Sequence, residues 1–168
     1  MRIFLIGFMG CGKSTFGRKL AAKLGSEFID LDQQFEKETG RSINEYFAEH
    51  GEDAFREQES RVLKTIDYPI NCVVATGGGT PCYFDNIQWM NGKGLTIYID
   101  MSPVEMAGRL EKGKAKRPLL KNLSETEIVD FIKLKLSERE TYYKRAFITI
   151  RGRDLTFERL RTRLFQIF

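Results

Sequence analysis

Short apolar runs alternate along this chain with longer stretches in which apolar residues recur every three or four positions. The runs are "RIFLI" (2–6), "EFIDLD" (27–32), "NCVVAT" (71–76), "GLTIYID" (94–100) and "AFITI" (146–150). Each has the length of a strand. The third is continuous and β-branched, as in a strand covered on both faces of a parallel sheet. Helical patterns lie between them. "KSTFGRKLAAKLG" (13–25) sets Phe16, Leu20 and Leu24 on one face and stops at Gly25. "SINE" (42–45) is a capping box, with Ser42 before a helix and Glu45 three residues on, and the stretch 52–66 is helical. "SPVE" (102–105) opens a helix with a cap, a proline at its first position and a glutamate at its third. "SETE" (124–127) caps a long helix to about Tyr143, and "LTFERLRTRLFQIF" closes the chain as an amphipathic helix. Alternating strands and helices predict a three-layer α/β domain with a parallel sheet, in which ligands bind at the carboxyl ends of the strands.

Composition narrows this only a little. The length of 168 residues suits one domain, spanning 1–168, with no linker or internal repeat. No apolar run approaches the ~20 residues needed to cross a bilayer, and "MRIFLIGFMG" breaks at glycine, as a buried first strand does. Cys11, Cys72 and Cys82 have no paired metal spacing, so a reducing, cytoplasmic location is expected. The lone His50 is expected to be exposed and uninvolved. The net charge of +4 collects in "KGKAKRPLLK" (112–121) and "RGRDLTFERLRTR" (151–163). Neither has the aromatic interleaving of a nucleic-acid patch. Solvated surface accounts for both, and the first also suits a mobile cationic segment closing over an anion.

The candidate chemistry starts at Gly7-x-x-x-x-Gly12-Lys13-Ser14, within "GFMGCGKST" (7–15). This is the phosphate-binding loop pattern, with a buried strand before it and an amphipathic helix after it. Glycines let successive backbone N–H groups turn inward, and the following helix adds its positive end. Lys13 reaches the β- and γ-phosphates, and the Ser14 hydroxyl ligates Mg²⁺. No N-K-x-D element reads guanine, and the chain is short for a motor, so a small kinase is the better class.

Several motifs admit two readings. Asp30 and Asp32 either share one side of an extended strand end, holding Mg²⁺ and a substrate hydroxyl, or cap a helix starting near Gln33. Arg56 and Glu59, at i and i+3, are either an oriented guanidinium or a surface ion pair. Gly77–Gly79 end a buried strand as an anion cradle or a loose connection. "KRPLL" (116–120) suits a lid, and Arg139 in "ERETYYKR" (138–145) lies near the end of a long helix.

Taken in order, "GFMGCGKST", "DLD", "GRSI", "GEDAFREQE", "TGGG", "KRPLL" and "RETYY" resemble the shikimate kinase family over residues 1 to about 150. The resemblance implies a fold like the nucleoside monophosphate kinases, with a five-stranded parallel sheet and a mobile lid at about 111–123. It implies substrate-binding helices at about 32–62. The reaction would move the γ-phosphate of ATP to the 3-hydroxyl of shikimate, on the route to chorismate and aromatic amino acids. Gly10, Cys11, Gly12, Lys13, Ser14, Thr15, Arg109, Arg117 and Arg153 would bind ATP. Ser14 and, through water, Asp30 would serve magnesium. Asp32, Arg56, Gly78, Gly79 and Arg139 would bind shikimate, with Lys13, Asp32 and Arg117 catalytic. A cytoplasmic monomer acting on small molecules is expected, with no nucleic acid or membrane partner. The alternatives are a related small-metabolite kinase such as gluconate kinase, or a nucleotide-binding module without turnover.

Overall fold

The computed structural model describes residues 1–111 and 122–165. Five strands, β1 (Arg2–Ile6), β2 (Glu27–Asp30), β3 (Cys72–Ala75), β4 (Leu95–Asp100) and β5 (Ile148–Arg151), form one parallel sheet in the order β2-β3-β1-β4-β5. The central strand shows why the sheet needs two helical layers. Ile3 and Leu5 point into one buried cluster, while Phe4 and Ile6, one residue out of phase, point into the other.

The first cluster is closed by α1 (Lys13–Leu24), α5 (Pro103–Glu111), α6 (Glu125–Tyr143) and α7 (Phe157–Phe165), through Phe16, Leu20, Met106, Leu110, Ile128 and Leu160. The second is closed by α2 (Leu31–Thr39), α3 (Ile43–Thr65) and α4 (Asn86–Lys93), through Phe35, Phe55, Leu63, Ile87 and Met90. The result is a three-layer α/β/α sandwich. The predicted caps are in place. Ser42 and Glu45 exchange bonds at the start of α3, and Ser124 and Glu127 do so at α6. Ser102 and Glu105 do the same at α5.

Four details differ from the sequence reading. β2 stops at Asp30, not Asp32, because the Asp30 carboxylate caps α2 by accepting from the backbone N of Asp32 at 3.2 Å. Asp32 therefore sits in the first helical turn and caps nothing. α3 begins at Ile43 and runs through a break at Gly51 (φ 80°, ψ 177°), so the predicted helix at 52–66 is its second half. α4 was not foreseen. Leu24, expected on the buried face of α1, is 40% exposed because it lies in the last turn, beyond the sheet. Most of the lid segment expected at about 111–123, Arg117 included, lies in 112–121, outside the described residues.

Candidate active site

The chain leaves β1 at Ile6 and turns through Gly7, Gly10 and Gly12, all at positive φ (139°, 79° and 99°). A Cβ at Gly7 would also stand 2.8 Å from the carbonyl oxygen of Ile99, so only glycine fits there. The turn delivers Lys13, Ser14 and Thr15 to the first turn of α1, whose leading N–H groups have no carbonyl one turn back to bond. Lys13 is buried and folds back across the loop. Its Nζ donates to the carbonyls of Gly7 (2.8 Å) and Phe8 (2.9 Å). Cys11 is fully buried under the loop, and Arg109 of α5 donates from Nη1 to its carbonyl at 3.4 Å.

Ser14 Oγ donates to Oδ2 of Asp30 at 2.8 Å, tying the phosphate loop to the end of β2. Asp32 lies beyond, open to solvent on one side but ringed by protein on the others. Partial burial, then the charges of Asp30 and Glu59, push its pKa up to about 6 against the pull of Lys13. A methyl group at Gly77 would sit 2.6 Å from Oε1 of Glu59 and 3.2 Å from Oδ1 of Asp32, so both carboxylates flank the glycine turn.

Arg56 is held from several sides. Its Nη1 meets Glu59 Oε2 at 2.9 Å, with the two side chains only 11% and 4% exposed. Glu59 also accepts from Thr80 Oγ1 at 2.7 Å. The guanidinium lies 4.4 Å from the ring centre of Tyr83 and 4.9 Å from that of Phe55. Its buried Nε has no hydrogen-bond partner. This is a buried, oriented guanidinium and not a surface ion pair. Gly79 makes room for it, since a Cβ there would stand 2.6 Å from Nη1.

Arg139 comes from α6. Its guanidinium lies 5.6 Å from the ring centre of Phe8, in the phosphate loop. One helical turn on, Tyr143 donates to the carbonyl of Gly78 at 2.5 Å and stacks on Tyr98. Cys82 reports both arginines at once. Burial pushes its thiol up to about 11, while the charges of Arg139 and Arg56 pull the other way. Asp32, Arg56, Gly78, Gly79 and Arg139 thus meet beside the phosphate loop.

Across the loop lies a cleft of 450 Å³, lined by Asp100, Ser102, Glu105, Arg151, Gly152 and Arg153. The Glu105 carboxyl is held below the usual range by the side chain and backbone of Ser102, with Arg153 and Arg109 adding to the effect. These two arginines therefore share one edge of the site. His50 is exposed on α3, 3.8 Å from Glu49 and away from these groups.

A family model described as shikimate kinase matches residues 9–167. The chain belongs to the shikimate kinase family. Among its relatives, a shikimate kinase of Phocaeicola vulgatus is 44% identical over 145 residues, 86% of this chain and 83% of that one. One of Parabacteroides distasonis is 42% identical over 157 residues, 94% and 91%. The crystal structure of a shikimate kinase from Bacteroides thetaiotaomicron superposes with a TM-score of 0.91 at 34% identity, covering 100% of this chain and 99% of the other. The Acinetobacter baumannii shikimate kinase, solved in complex with shikimate, gives 0.86 at 33%, with 98% and 93% covered.

Sequence reasoning named the phosphate loop and the converging acid and arginines. It missed Thr80, which ties Glu59 to the glycine turn, and Glu52 and Tyr83 around Arg56. Glu52 carried a weak signal, standing one turn before Arg56 in "GEDAFREQE". Thr80 and Tyr83 carried none, because their partners lie on another element.

As for a metal, the oxygens of Ser14 and Asp30 are hard donors at the edge of the phosphate loop. Among the described residues, no group of three or more His, Cys, Asp or Glu could hold an ion unaided. One hydroxyl and one carboxylate suit Mg²⁺, which keeps several waters and shares its coordination with substrate phosphates.

Proposed function

We propose that the protein transfers the γ-phosphate of ATP to the 3-hydroxyl of shikimate, yielding shikimate 3-phosphate and ADP, in the biosynthesis of chorismate and the aromatic amino acids. The observation that carries this reading is the meeting of Asp32, Arg56 and Arg139 at one side of a phosphate loop. Shikimate is a small anion with one carboxylate and three hydroxyls. Arg56 and Arg139 grip the carboxylate with the backbone of Gly78 and Gly79, guanidinium forks matching carboxylate geometry. Asp32 accepts a hydrogen bond from the reacting hydroxyl and takes its proton as the oxygen attacks. A carboxyl near 6 is mostly ionised at neutral pH and still basic enough for that task.

On the donor side, Lys13 exchanges its bonds to the Gly7 and Phe8 carbonyls for phosphate oxygens. Gly10, Cys11, Gly12, Ser14 and Thr15 present backbone donors at the start of α1. Arg153, which lines the 450 Å³ cleft, and Arg109, near Glu105 at its edge, flank the nucleoside, and Arg117 neutralises phosphoryl charge from the lid. Ser14 and, through water, Asp30 hold Mg²⁺, whose charge offsets that of the triphosphate when bound. The chain acts as one kinase domain over 1–168, a cytoplasmic monomer whose helices α2 and α3 bind the acid and whose lid spans about 111–123. Light scattering on a sizing column tests the monomer.

The test of the reaction is direct. Purified protein with Mg·ATP should release ADP only when shikimate is present, and the product should carry one phosphate on the 3-oxygen. Gluconate should give no ADP. Absence of shikimate-dependent ADP at micromolar protein overturns the reading.

A further inference from the structure

Tyr83 has no role assigned above, yet its ring packs on the guanidinium of Arg56. It follows the short turn Thr80–Cys82 and stands just before Phe84, the one non-glycine residue with positive φ (51°) among the described residues. A bulky side chain there is uncommon and strained, and such strain persists where the surroundings fix a particular geometry. Here the turn sends Tyr83 toward α3 while the next residues start α4. The phenol donates to Oε1 of Glu52 at 2.9 Å. The same oxygen lies 3.5 Å from Nη2 of Arg56, one helical turn along α3. The Tyr83 ring lies against the guanidinium.

Those distances describe a competition. Glu52 and Arg56, at i and i+4, are placed to close a full ion pair on the helix surface. Glu52 is about half exposed. A closed pair would occupy Nη2, while Nη1 is already committed to Glu59. An incoming carboxylate would then have to share Nη2 with Glu52 and meet a guanidinium whose charge two carboxylates already offset. The phenol of Tyr83 draws Oε1 into its own hydrogen bond and leaves the Arg56 contact long.

We propose that Tyr83 is a positioning residue that holds Glu52 at its long 3.5 Å contact with Arg56 and keeps the pair from closing, so that Nη2 can meet the carboxylate of the acid substrate. This rests on the assignment of Arg56 to that carboxylate. The test compares wild type, Tyr83→Phe, Glu52→Gln and the double variant by steady-state kinetics in shikimate and in ATP, and by calorimetric binding of shikimate. Phenylalanine keeps the ring over the guanidinium and removes only the hydroxyl. Tyr83→Phe should raise both the KM and the Kd for shikimate about three- to tenfold, the worth of one hydrogen bond, with a smaller change in kcat and in the KM for ATP. Adding Glu52→Gln, which removes the competing charge, should return shikimate affinity to near wild type. A purely structural role for the hydroxyl would not be rescued this way. Unchanged shikimate affinity in Tyr83→Phe, or a double variant no better than the single one, overturns the proposal. Wild type that neither binds nor phosphorylates shikimate overturns the substrate assignment instead, and the proposal with it.

Discussion

Gly79 shows how much of this site depends on a missing side chain. Its backbone is ordinary (φ −88°, ψ −19°), so alanine would suffer no strain there. Its Cβ would nevertheless stand 2.6 Å from Nη1 and 2.7 Å from Nη2 of Arg56. A guanidinium is the far end of a flexible side chain and can move away. Gly79→Ala should therefore cost less than about 1 kcal/mol of stability, but raise the KM for shikimate about tenfold or more. Urea melts and kinetics in parallel check this, and equal losses in stability and binding would contradict it. Asp32 gives the reverse trade. Its carboxyl, raised from 3.8 to about 6, binds its proton more tightly in the folded protein. Protonation as pH falls through 6 toward 3.8 thus favours the fold, and the charge costs stability above 6. In metal-free buffer at pH 8, Asp32→Asn should be more stable than wild type, by about 1 kcal/mol once solvent access to the carboxylate is discounted. The gain should fade by pH 4, and phosphoryl transfer should be lost. An asparagine variant less stable at pH 8 would contradict this.

Among the elements, α1 carries Lys13, Ser14 and Thr15, proposed above to meet the phosphates, and its place depends on Gly17. A Cβ there would stand 2.6 Å from the Phe28 ring of β2 and 3.1 Å from Leu5 of β1. Alanine is worth about 1 kcal/mol over glycine inside a helix, whereas overpacking a core costs roughly 1–3 kcal/mol. Gly17→Ala should therefore destabilise the fold by about 1 kcal/mol against its helix propensity, as chemical denaturation would show. This helix, β1 and the three serine caps were legible in the sequence because each is written in local spacing. The end of β2 was not, since the alternation in "EFIDLD" continues to Asp32 while a cap bond from Asp30 ends the strand two residues sooner. α4 escaped because it is only eight residues long, buries Ile87 and Met90, and starts at Asp85 without a side-chain cap bond. Burial of the Arg56–Glu59 pair was equally unreadable. An i, i+3 pair looks the same on a surface as in a site, and only Gly79 and Thr80, from another element, decide which it is.

For the whole molecule, the strand order sets the division of labour. β1 and its loop stand at the centre of the sheet. The ends of β2 and β3, with Asp30 and the glycine turn, lie to one side, and those of β4 and β5, with Asp100 and Arg151, lie to the other. The groups proposed to bind the acid gather on the first side, with Arg139 reaching over Phe8 to join them, and the cleft beside Arg153 opens on the second. Only the phosphates need to cross between them, over the loop. The two ligands should then be separable by mutation, and ligand-induced stabilisation reads each one alone. A ligand at 100 times its Kd stabilises the fold by about 2.7 kcal/mol, and each tenfold loss of affinity removes about 1.4 kcal/mol of it. Arg139→Ala should keep the rise in melting temperature given by Mg·ADP and lose most of the rise given by shikimate. Arg153→Ala should do the opposite. If either variant loses both responses together, the two halves are not independent, and the loop is not the boundary between them.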